Sequence, residues 1–215
     1  SMKLTTLRQI SPVYNLFNLK YLVIDSNRKF DIPGYYEVYR DEVLSILKNE
    51  YARNRVYLPR HIKIVNEEDE ALRGVFELPS ISGEQIIIER DSVAELPFDY
   101  ESLLHRNDPD ETVVIIAYSS NRFELRVRLA SDGWVTLADT FYPGWKATID
   151  GQSEAIIVPA NYIFRAIYVP KGLHKIVFQY KPKYFSVSIM VALITLLGSC
   201  IAIFYRYPNF SSKFR

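Results

Sequence analysis

The sequence has few of the residues from which metal and thiol sites are built. Its one cysteine, Cys200, excludes an intramolecular disulfide and a cysteine-based metal site. The histidines, His61, His105 and His174, are far apart, and no two have metal-ligand spacing, which argues against zinc. Neither a GxSxG nucleophile elbow nor a phosphate-binding P-loop occurs. We therefore expect no metal, no cofactor and no catalytic residue in this chain.

The chain also lacks a large excess of charge of either sign. Its 26 basic and 25 acidic residues leave a net charge of +1, which argues against nucleic acid as a partner. Glycine is scarce, at 8 residues, whereas 16 tyrosines and 12 phenylalanines are present. A composition rich in aromatic and β-branched residues favours β-strands.

One long apolar run is present, from Phe185 to Tyr205, and it contains neither charge nor proline. As a helix it would rise roughly 31 Å, about the thickness of the hydrocarbon core of a bilayer. Aromatic residues stand at both ends of the run, where interfacial side chains are expected. The run therefore predicts a transmembrane helix over residues 184–206, and a buried helix of a soluble core is the alternative.

The N-terminus has no comparable run and predicts neither a signal peptide nor a first membrane span. Ser1 before Met2 is typical of a scar left by tag removal, so we expect a fragment of a longer protein. If Met2 is instead the true start, the chain is a tail-anchored protein with a cytosolic domain. The flanking charges do not decide between these cases.

The first half of the chain alternates between short helices and strands. One or two helical turns are predicted with Ser11 as N-cap and Pro12 as the first helical residue. A second helix is predicted after Asn66, which we expect to cap it, and ends near Leu78. The acidic run that follows Asn66 suits the first turn of that helix better than a metal site. Strands are predicted at residues 20–25, 35–40, 43–48, 61–65 and 85–89. A helix is the competing prediction for residues 43–51.

From Glu111 onward, seven short apolar segments follow one another, separated by turn signals. Strands at this spacing are typical of an antiparallel sandwich or jelly roll. Asp150-Gly151 is a strong hairpin signal between two of them. The fold class is therefore mainly β with an α+β N-terminal part, and one transmembrane helix follows the sandwich. The predicted divisions are residues 1–110, a mixed subdomain; 111–183, the sandwich part; 184–206, the helix; and 207–215, a short tail.

The most distinctive stretch is DTFYPGWKATIDG, from Asp139 to Gly151. It is similar to a segment of the YfhO-type bacterial multi-pass membrane proteins, of the form yyPGWkA.vDG. A second family pattern, a.yafRav.vPaG.H.v.f.Y.P, matches residues 160–182, with Lys171 where alanine is usual. LFNLKYLV at 16–23 and Leu58-Pro59-Arg60 resemble upstream family segments, although the connection between them is longer here.

The resemblance implies a glycosyltransferase of the GT-C class that uses a polyprenyl-phosphate sugar to build cell-surface glycans. In that family this domain lies outside the bacterial plasma membrane, joined to many further helices, and the catalytic acid lies in an early loop of the membrane part. No catalytic residue can be carried onto this sequence. The expected role is a non-catalytic one that includes holding the acceptor glycan, with residues 207–215 in the cytoplasm. A membrane-anchored module that binds glycan or protein, with no enzyme activity, is the alternative.

Several residues of the sandwich are candidates for contact with a glycan or with lipid. Flat aromatic faces with hydrogen-bonding neighbours suit a sugar ring, and the candidates are Trp134, Tyr142, Trp145, Asn161 and Arg165. The alternative is that these aromatics fill the core or cap one end of the sandwich. Arg165 lies in an apolar strand, so we expect Asp139 or Asp150 to pair with it. Candidates for lipid headgroup contact are Lys171, Lys175, Lys181 and Lys183.

Asp139 and Asp150 also raise the question of a glycosidase, because such enzymes use a pair of carboxylates. Both residues lie in predicted turns and neither has an identified partner for that chemistry. We therefore prefer the structural interpretation, in which one of them neutralises Arg165.

Overall fold

The computed structural model describes residue 11 and residues 13–78, 85–94 and 110–206. Its helices are α1 (Val13–Leu16), α2 (Glu68–Glu77), α3 (Arg90–Val93) and α4 (Phe185–Arg206). The first six strands are β1 (Tyr21–Asp25), β2 (Tyr35–Arg40), β3 (Leu44–Asn49), β4 (Val56–Tyr57), β5 (His61–Val65) and β6 (Gln85–Glu89). The later strands are β7 (Thr112–Ser119), β8 (Arg122–Leu129), β9 (Gly133–Leu137), β10 (Trp145–Ile149), β11 (Ser153–Ala155), β12 (Ile157–Ala160), β13 (Phe164–Val169) and β14 (Gly172–Tyr180).

Two sheets face each other and form the predicted sandwich. One has five strands in the order β11-β10-β14-β8-β7, and all of its pairs are antiparallel. The other has six strands in the order β4-β9-β13-β12-β6-β5. Buried residues of both sheets, including Leu125, Ile167 and Phe178, form one apolar cluster between them. The mainly β fold class is confirmed.

Strand β8 shows how the sequence pattern places this core. Phe123, Leu125, Val127 and Leu129 alternate with polar residues, and each of the four is at most 3% exposed. Successive side chains of a strand point to opposite faces, so this alternation buries one face of the sheet. Full burial of one such side chain stabilises the fold by about 1.5–3 kcal/mol.

The six-stranded sheet is buried on both faces. Val135 and Ile167 point into the sandwich core, whereas Trp134 and Ala166 point into a second apolar cluster on the opposite face. Helix α2 covers that second face and contributes buried side chains such as Val75. Strands β5 and β6, which flank α2 in the chain, pair in parallel, as a helical crossover requires.

This sheet takes strands from both sides of residue 110. β4 pairs with β9, and β6 pairs with β12, so the hydrogen-bonded layer is continuous across the predicted division. The division at residue 110 thus separates two chain segments that share one sheet, and the domain boundaries stay a prediction.

The N-terminal strands form a separate three-stranded sheet in the order β1-β3-β2. The strands predicted at residues 35–40 and 43–48 are confirmed as β2 and β3, which are antiparallel neighbours. The competing helix over residues 43–51 is therefore wrong. A small apolar cluster of Ile24, Ile32 and Leu47 holds this sheet together.

Two local predictions need correction. The N-cap residue of α2 is Glu67 and not Asn66, and its side chain makes no capping hydrogen bond. The N–H of Asn66 instead donates to the Glu70 carboxylate at 3.0 Å. A glutamate in the first turn of the helix thus supplies a hydrogen-bond acceptor for the backbone that precedes it. One of the seven apolar segments from Glu111 onward, EAIIVP at residues 154–159, predicts a single strand, but the structure divides it between β11 and β12, which belong to different sheets. Pro12, the predicted first helical residue of α1, lies outside the described residues.

The Asp150-Gly151 hairpin is confirmed. Both residues have positive φ, 54° and 73°, and they join β10 to its antiparallel neighbour β11. Three residues, from Asp150 to Gln152, separate the paired residues Ile149 and Ser153, and the N–H of Gln152 donates to the Ile149 carbonyl at 3.2 Å, so the two positive-φ residues are the central pair of this turn.

Helix α4 is long and apolar enough, over Val187–Arg206, to cross a membrane, and none of that span is buried against the protein. The hydroxyl groups of Thr195 and Ser199 donate to backbone carbonyls one turn earlier, each at 2.8 Å. Polar groups satisfied within their own helix suit a hydrocarbon environment. The exposed apolar surface of α4 is therefore explained by lipid.

We expect Phe178→Ala to lower the free energy of unfolding by about 3–5 kcal/mol, because Phe178 is fully buried between the two sheets. Leu173→Ala on the same strand is the matched control, since Leu173 is 62% exposed, and we expect a change below about 0.5 kcal/mol. Denaturant titration of the full chain in micelles measures both variants. Equal effects would contradict the burial described for β14.

Candidate functional site

The segment before β10 is shaped by a turn that only glycine fits. Gly144 has a φ of 102°, and a Cβ atom there would lie 3.0 Å from the Tyr180 ring and 3.3 Å from Pro182 Cα. Its carbonyl oxygen accepts the N–H of Lys181 at 2.6 Å. The turn is thus fastened to the end of β14 and to the link that leads into α4, and Trp145 follows directly.

Arg165 is the most buried charged residue of the sandwich, with 2% exposure. Its Nη2 donates to Asp139 Oδ2 at 2.8 Å, which confirms one of the two predicted partners. The face of its guanidinium lies 3.9 Å from the ring centre of Trp145, a cation–π distance, and Phe178 lies further away. Burial lowers the pKa of Arg165 to about 10, against the opposing effect of Asp139, so the group stays charged at neutral pH.

A second arginine, Arg55, completes the cluster. Its Nε and Nη2 donate to the two carboxylate oxygens of Asp139 at 2.7 and 3.0 Å, a bidentate pair. Its guanidinium lies 4.5 Å from the ring centre of Phe123. Residues 55 and 139 are 84 positions apart, and no local pattern marks Arg55, so sequence reasoning missed it. The carbonyl oxygen of Arg55 accepts the N–H of Ala138, the residue before Asp139. This backbone hydrogen bond places Arg55, which precedes β4, next to Asp139.

Tyr142, Trp145 and Tyr180 form the aromatic side of a cleft beside this cluster. The Tyr180 ring centre lies 6.4 Å from that of Tyr142 and 5.5 Å from that of Trp145. The cleft has a volume of about 480 Å³ and is lined by these three residues together with Ser120, Asp139, Thr140 and Arg165. A smaller cleft of about 280 Å³ lies beyond Tyr142 and Trp145 and includes Lys146 and Glu154. The larger cleft therefore combines flat rings with hydroxyl groups and a cationic floor.

The structure brings together three of the five glycan candidates and separates the other two from them. Tyr142, Trp145 and Arg165 share the larger cleft. Trp134 is 1% exposed and packs against Tyr168 on the far face of the six-stranded sheet, because its strand neighbour Val135 takes the sandwich face. For Trp134 the core-filling alternative holds.

Asn161 is also buried, at 1% exposure, and serves the backbone. Its Oδ1 accepts the N–H of Ile87 at 2.8 Å, and its amide donates to the Tyr57 hydroxyl at 3.2 Å. With a φ of 48°, Asn161 occupies a left-handed turn between β12 and β13. Its hydrogen bonds belong to the fold, and it has no place in the cleft.

The four lysines predicted to contact lipid headgroups do not form one cluster. Lys181 and Lys183 lie in the link between β14 and α4, whereas Lys171 precedes the opposite end of the nine-residue strand β14. That strand spans roughly 30 Å. Lys175 lies within it and pairs with Glu124 at 2.7 Å. Of the four lysines, only Lys181 and Lys183 are adjacent in the chain to helix α4, as contact with lipid headgroups requires.

Asp150, the other predicted partner of Arg165, contacts His174 instead. Its Oδ2 lies 2.8 Å from His174 Nδ1, and its Oδ1 accepts the N–H of Lys175 at 2.8 Å. This pair is at the end of β10 away from Trp145. Among the described residues, no three His, Cys, Asp or Glu side chains are grouped to hold a metal ion.

A β-sandwich joined to a helix that can cross a bilayer defines a membrane protein with a substantial domain outside the lipid. The comparisons agree with that class, since residues 98–192 match the family model described as bacterial membrane protein YfhO. The chain is also 31% identical over 88 residues to the uncharacterized protein YfhO of Bacillus subtilis (strain 168), a match that covers 41% of this chain. The resemblance to the YfhO-type membrane proteins is thereby confirmed, and the cleft lies in the matched segment.

The match covers 10% of the length of the Bacillus protein. No solved structure matches the chain. The two upstream segments that resemble the family, LFNLKYLV and Leu58-Pro59-Arg60, lie outside the residues matched by the family model.

Asp139→Asn should lower the free energy of unfolding by about 3–5 kcal/mol, because it leaves Arg165 buried without a counter-charge. Glu154→Gln is the matched control: its ion pair with Lys146 is exposed on both sides, and we expect a change below about 1 kcal/mol. Thermal or denaturant unfolding of the full chain measures both. A stability of Asp139→Asn close to that of the unsubstituted protein would show that Arg165 does not depend on this carboxylate.

His174 predicts a pH dependence of stability with a definite sign. The hydrogen bond with Asp150 raises the pKa of His174 above its ordinary value of 6.5. The stabilisation is therefore complete below the unfolded-state pKa and is lost as the pH rises through the raised pKa. His174→Gln should cost more stability at pH 5.5 than at pH 8.5.

Urea midpoints of the unsubstituted protein and of His174→Gln at the two pH values measure this difference. His61→Gln, at another histidine, is the control for a general effect of histidine loss. A cost that is the same at both pH values would contradict the pairing of His174 with Asp150.

Proposed function

We propose that this chain forms the extracytoplasmic, non-catalytic end of a membrane-embedded glycosyltransferase that uses a polyprenyl-phosphate sugar, and that its larger cleft holds the acceptor glycan. One observation carries the proposal: an aromatic cleft with hydroxyl groups on its walls lies within the YfhO-matched segment, at the end of the sandwich next to the helix.

The cleft has the chemistry that a sugar requires. The apolar C–H faces of a pyranose pack against flat rings such as those of Tyr142 and Trp145, and Tyr142 is 59% exposed. The hydroxyl groups of Ser120 and Thr140 can exchange hydrogen bonds with those of a sugar. A volume of about 480 Å³ lies within the range of ordinary ligand sites.

The position of the cleft also suits an acceptor site. Tyr180 lines the cleft, and α4 begins five residues later at Phe185. Five residues span at most about 18 Å. A glycan held in the cleft would thus lie close to the bilayer surface, where a lipid-linked sugar donor presents its sugar.

The carboxylates of the described residues support a non-catalytic role for this part of the protein. Both oxygens of Asp139 accept hydrogen bonds from arginines, Oδ1 from Arg55 and Oδ2 from Arg55 and Arg165, so this carboxylate is committed to contacts within the fold. Asp150 is bound to His174 at the other end of β10. The pair therefore lacks the facing arrangement across one sugar that glycoside hydrolysis needs.

A membrane-anchored module that binds glycan without any transferase is the second candidate. The same cleft supports it, because binding needs no catalytic group. The two candidates differ in the activity of the complete gene product, and sugar transfer that depends on the cleft would favour the transferase.

We expect Tyr142→Ala and Trp145→Ala to weaken oligosaccharide binding by about tenfold or more, because each removes a ring face worth about 0.5–1.5 kcal/mol beyond its buried area. Binding of the full chain in micelles to a panel of bacterial cell-envelope oligosaccharides measures this effect. Tyr36→Ala, at a tyrosine of the N-terminal sheet that is 45% exposed, is the matched control.

Because Trp145 also covers Arg165, Trp145→Ala could lose binding by unfolding, and its melting temperature is therefore measured as well. If Trp145→Ala is unstable, the binding result of Tyr142→Ala alone tests the acceptor site. Unchanged binding in both cleft variants, or an equal loss in Tyr36→Ala, would contradict an acceptor site in this cleft. Protection of the sandwich from protease in intact cells that lack an outer membrane would contradict its extracytoplasmic position.

A further inference from the structure

The cluster below the cleft contains more positive charge than the fold neutralises. Arg55 and Arg165 share a single carboxylate, that of Asp139, and among the described residues no other acidic side chain forms an ion pair with either arginine. The cluster therefore carries a net charge of +1 at the floor of an open cleft, and one of its two guanidinium groups, that of Arg165, is withdrawn from water at 2% exposure. In such a site an uncompensated charge attracts an opposite charge more strongly than it would in bulk water.

The two arginines contribute differently to this site. Nε and Nη1 of Arg165 are buried and have no hydrogen-bond acceptor among the described residues, while Trp145 covers the guanidinium face. The positive charge of Arg165 would therefore attract an anionic ligand electrostatically, while the contacts of Arg165 with Asp139 and Trp145 stay in place. Arg55 is the accessible one, since its side chain is 37% exposed. Its bidentate pair with Asp139 uses Nε and Nη2, so Nη1 is available to a further acceptor.

Arg55 is connected to the cleft through its neighbours, since the residues that line the cleft include its partner Asp139 but not Arg55 itself. It binds Asp139, which lines the cleft, and its guanidinium lies 5.6 Å from the ring of Tyr118, two residues before the cleft residue Ser120. Ser120 and Thr140, whose hydroxyl groups line the cleft, are each within two residues in the chain of a contact of Arg55, namely Tyr118 or Asp139. Glu154, the other acidic residue near the aromatic rings, lines the smaller cleft, where it binds Lys146.

We propose that the cleft selects an acidic saccharide, with a carboxylate or phosphate group against Arg55 and the sugar ring against Tyr142 and Trp145. This inference rests on the proposed function, because it presumes that the cleft holds a glycan. A charge-assisted hydrogen bond from Arg55, together with the net positive floor, distinguishes an acidic ring from a neutral one of the same shape. Asp139 is committed to the two arginines and does not repel the incoming anion as a free carboxylate would.

Matched saccharides test this selection in the full chain held in lipid nanodiscs with zwitterionic lipid. The probes are an oligogalacturonate, its fully methyl-esterified neutral form, and one oligosaccharide compared with and without a phosphate monoester. We expect the acidic member of at least one pair to bind about tenfold more tightly at low salt, and the difference to shrink as ionic strength rises. The two pairs separate carboxylate recognition from phosphate recognition.

Arg55→Gln should abolish the preference for the acidic member while binding of the neutral member is retained. Arg126→Gln, at an exposed arginine on the outer face of β8, is the matched control and should leave the preference unchanged. Melting temperatures show whether Arg55→Gln remains folded, and if it does not, the saccharide pairs and their salt dependence on the unsubstituted chain decide.

Equal or tighter binding of both neutral members would overturn the charge selection and leave the proposed glycan site standing. The same conclusion follows if Arg126→Gln removes the preference as completely as Arg55→Gln. Absence of binding by every saccharide would overturn both the selection and the proposed glycan site.

Discussion

The carboxylate of Asp139, held between two arginines, is the interaction on which this end of the sandwich depends. Arg165 comes from a central strand of the six-stranded sheet, Arg55 comes from the chain before β4, and Asp139 follows β9. One side chain therefore joins three segments that are distant in sequence. Each arginine also lies against an aromatic ring, Phe123 or Trp145, so charge neutralisation and packing support each other. Without the carboxylate, a buried guanidinium would be unpaired.

The same contacts produce the surface that we propose to be functional. Arg165 lies over one face of the Trp145 ring, and the backbone of Gly144, the residue before Trp145, is hydrogen-bonded to Lys181 in the link to α4. Two of the cleft rings, Trp145 and Tyr180, are thus held on paired residues of β10 and β14. A ring platform that is fixed before a ligand arrives loses little conformational entropy on binding.

The long apolar run, the strand alternation and the Asp150-Gly151 hairpin could be predicted because each depends on neighbouring residues. The spacing of Phe123, Leu125, Val127 and Leu129 places one face of β8 in the core whatever sheet it joins. The pairing of Arg165 with an aspartate was also predictable, since a charged residue in an apolar strand needs a partner. Which aspartate it would be depended on the strand arrangement, and Asp150 is occupied by His174.

The sequence by itself determined that this chain is β-rich, attached to a membrane and similar to YfhO proteins, because composition, periodicity and motifs are local properties. Only the tertiary structure decided which residues form the cleft and its charged cluster. The alternation of Trp134 and Val135 in a sheet buried on both faces sends Trp134 to the far core, and Asn161 is used by the backbone of β6. Arg55 enters the cluster from 84 residues away. Contacts of that range follow from how sheets pair and pack, and no pattern of neighbouring residues encodes them.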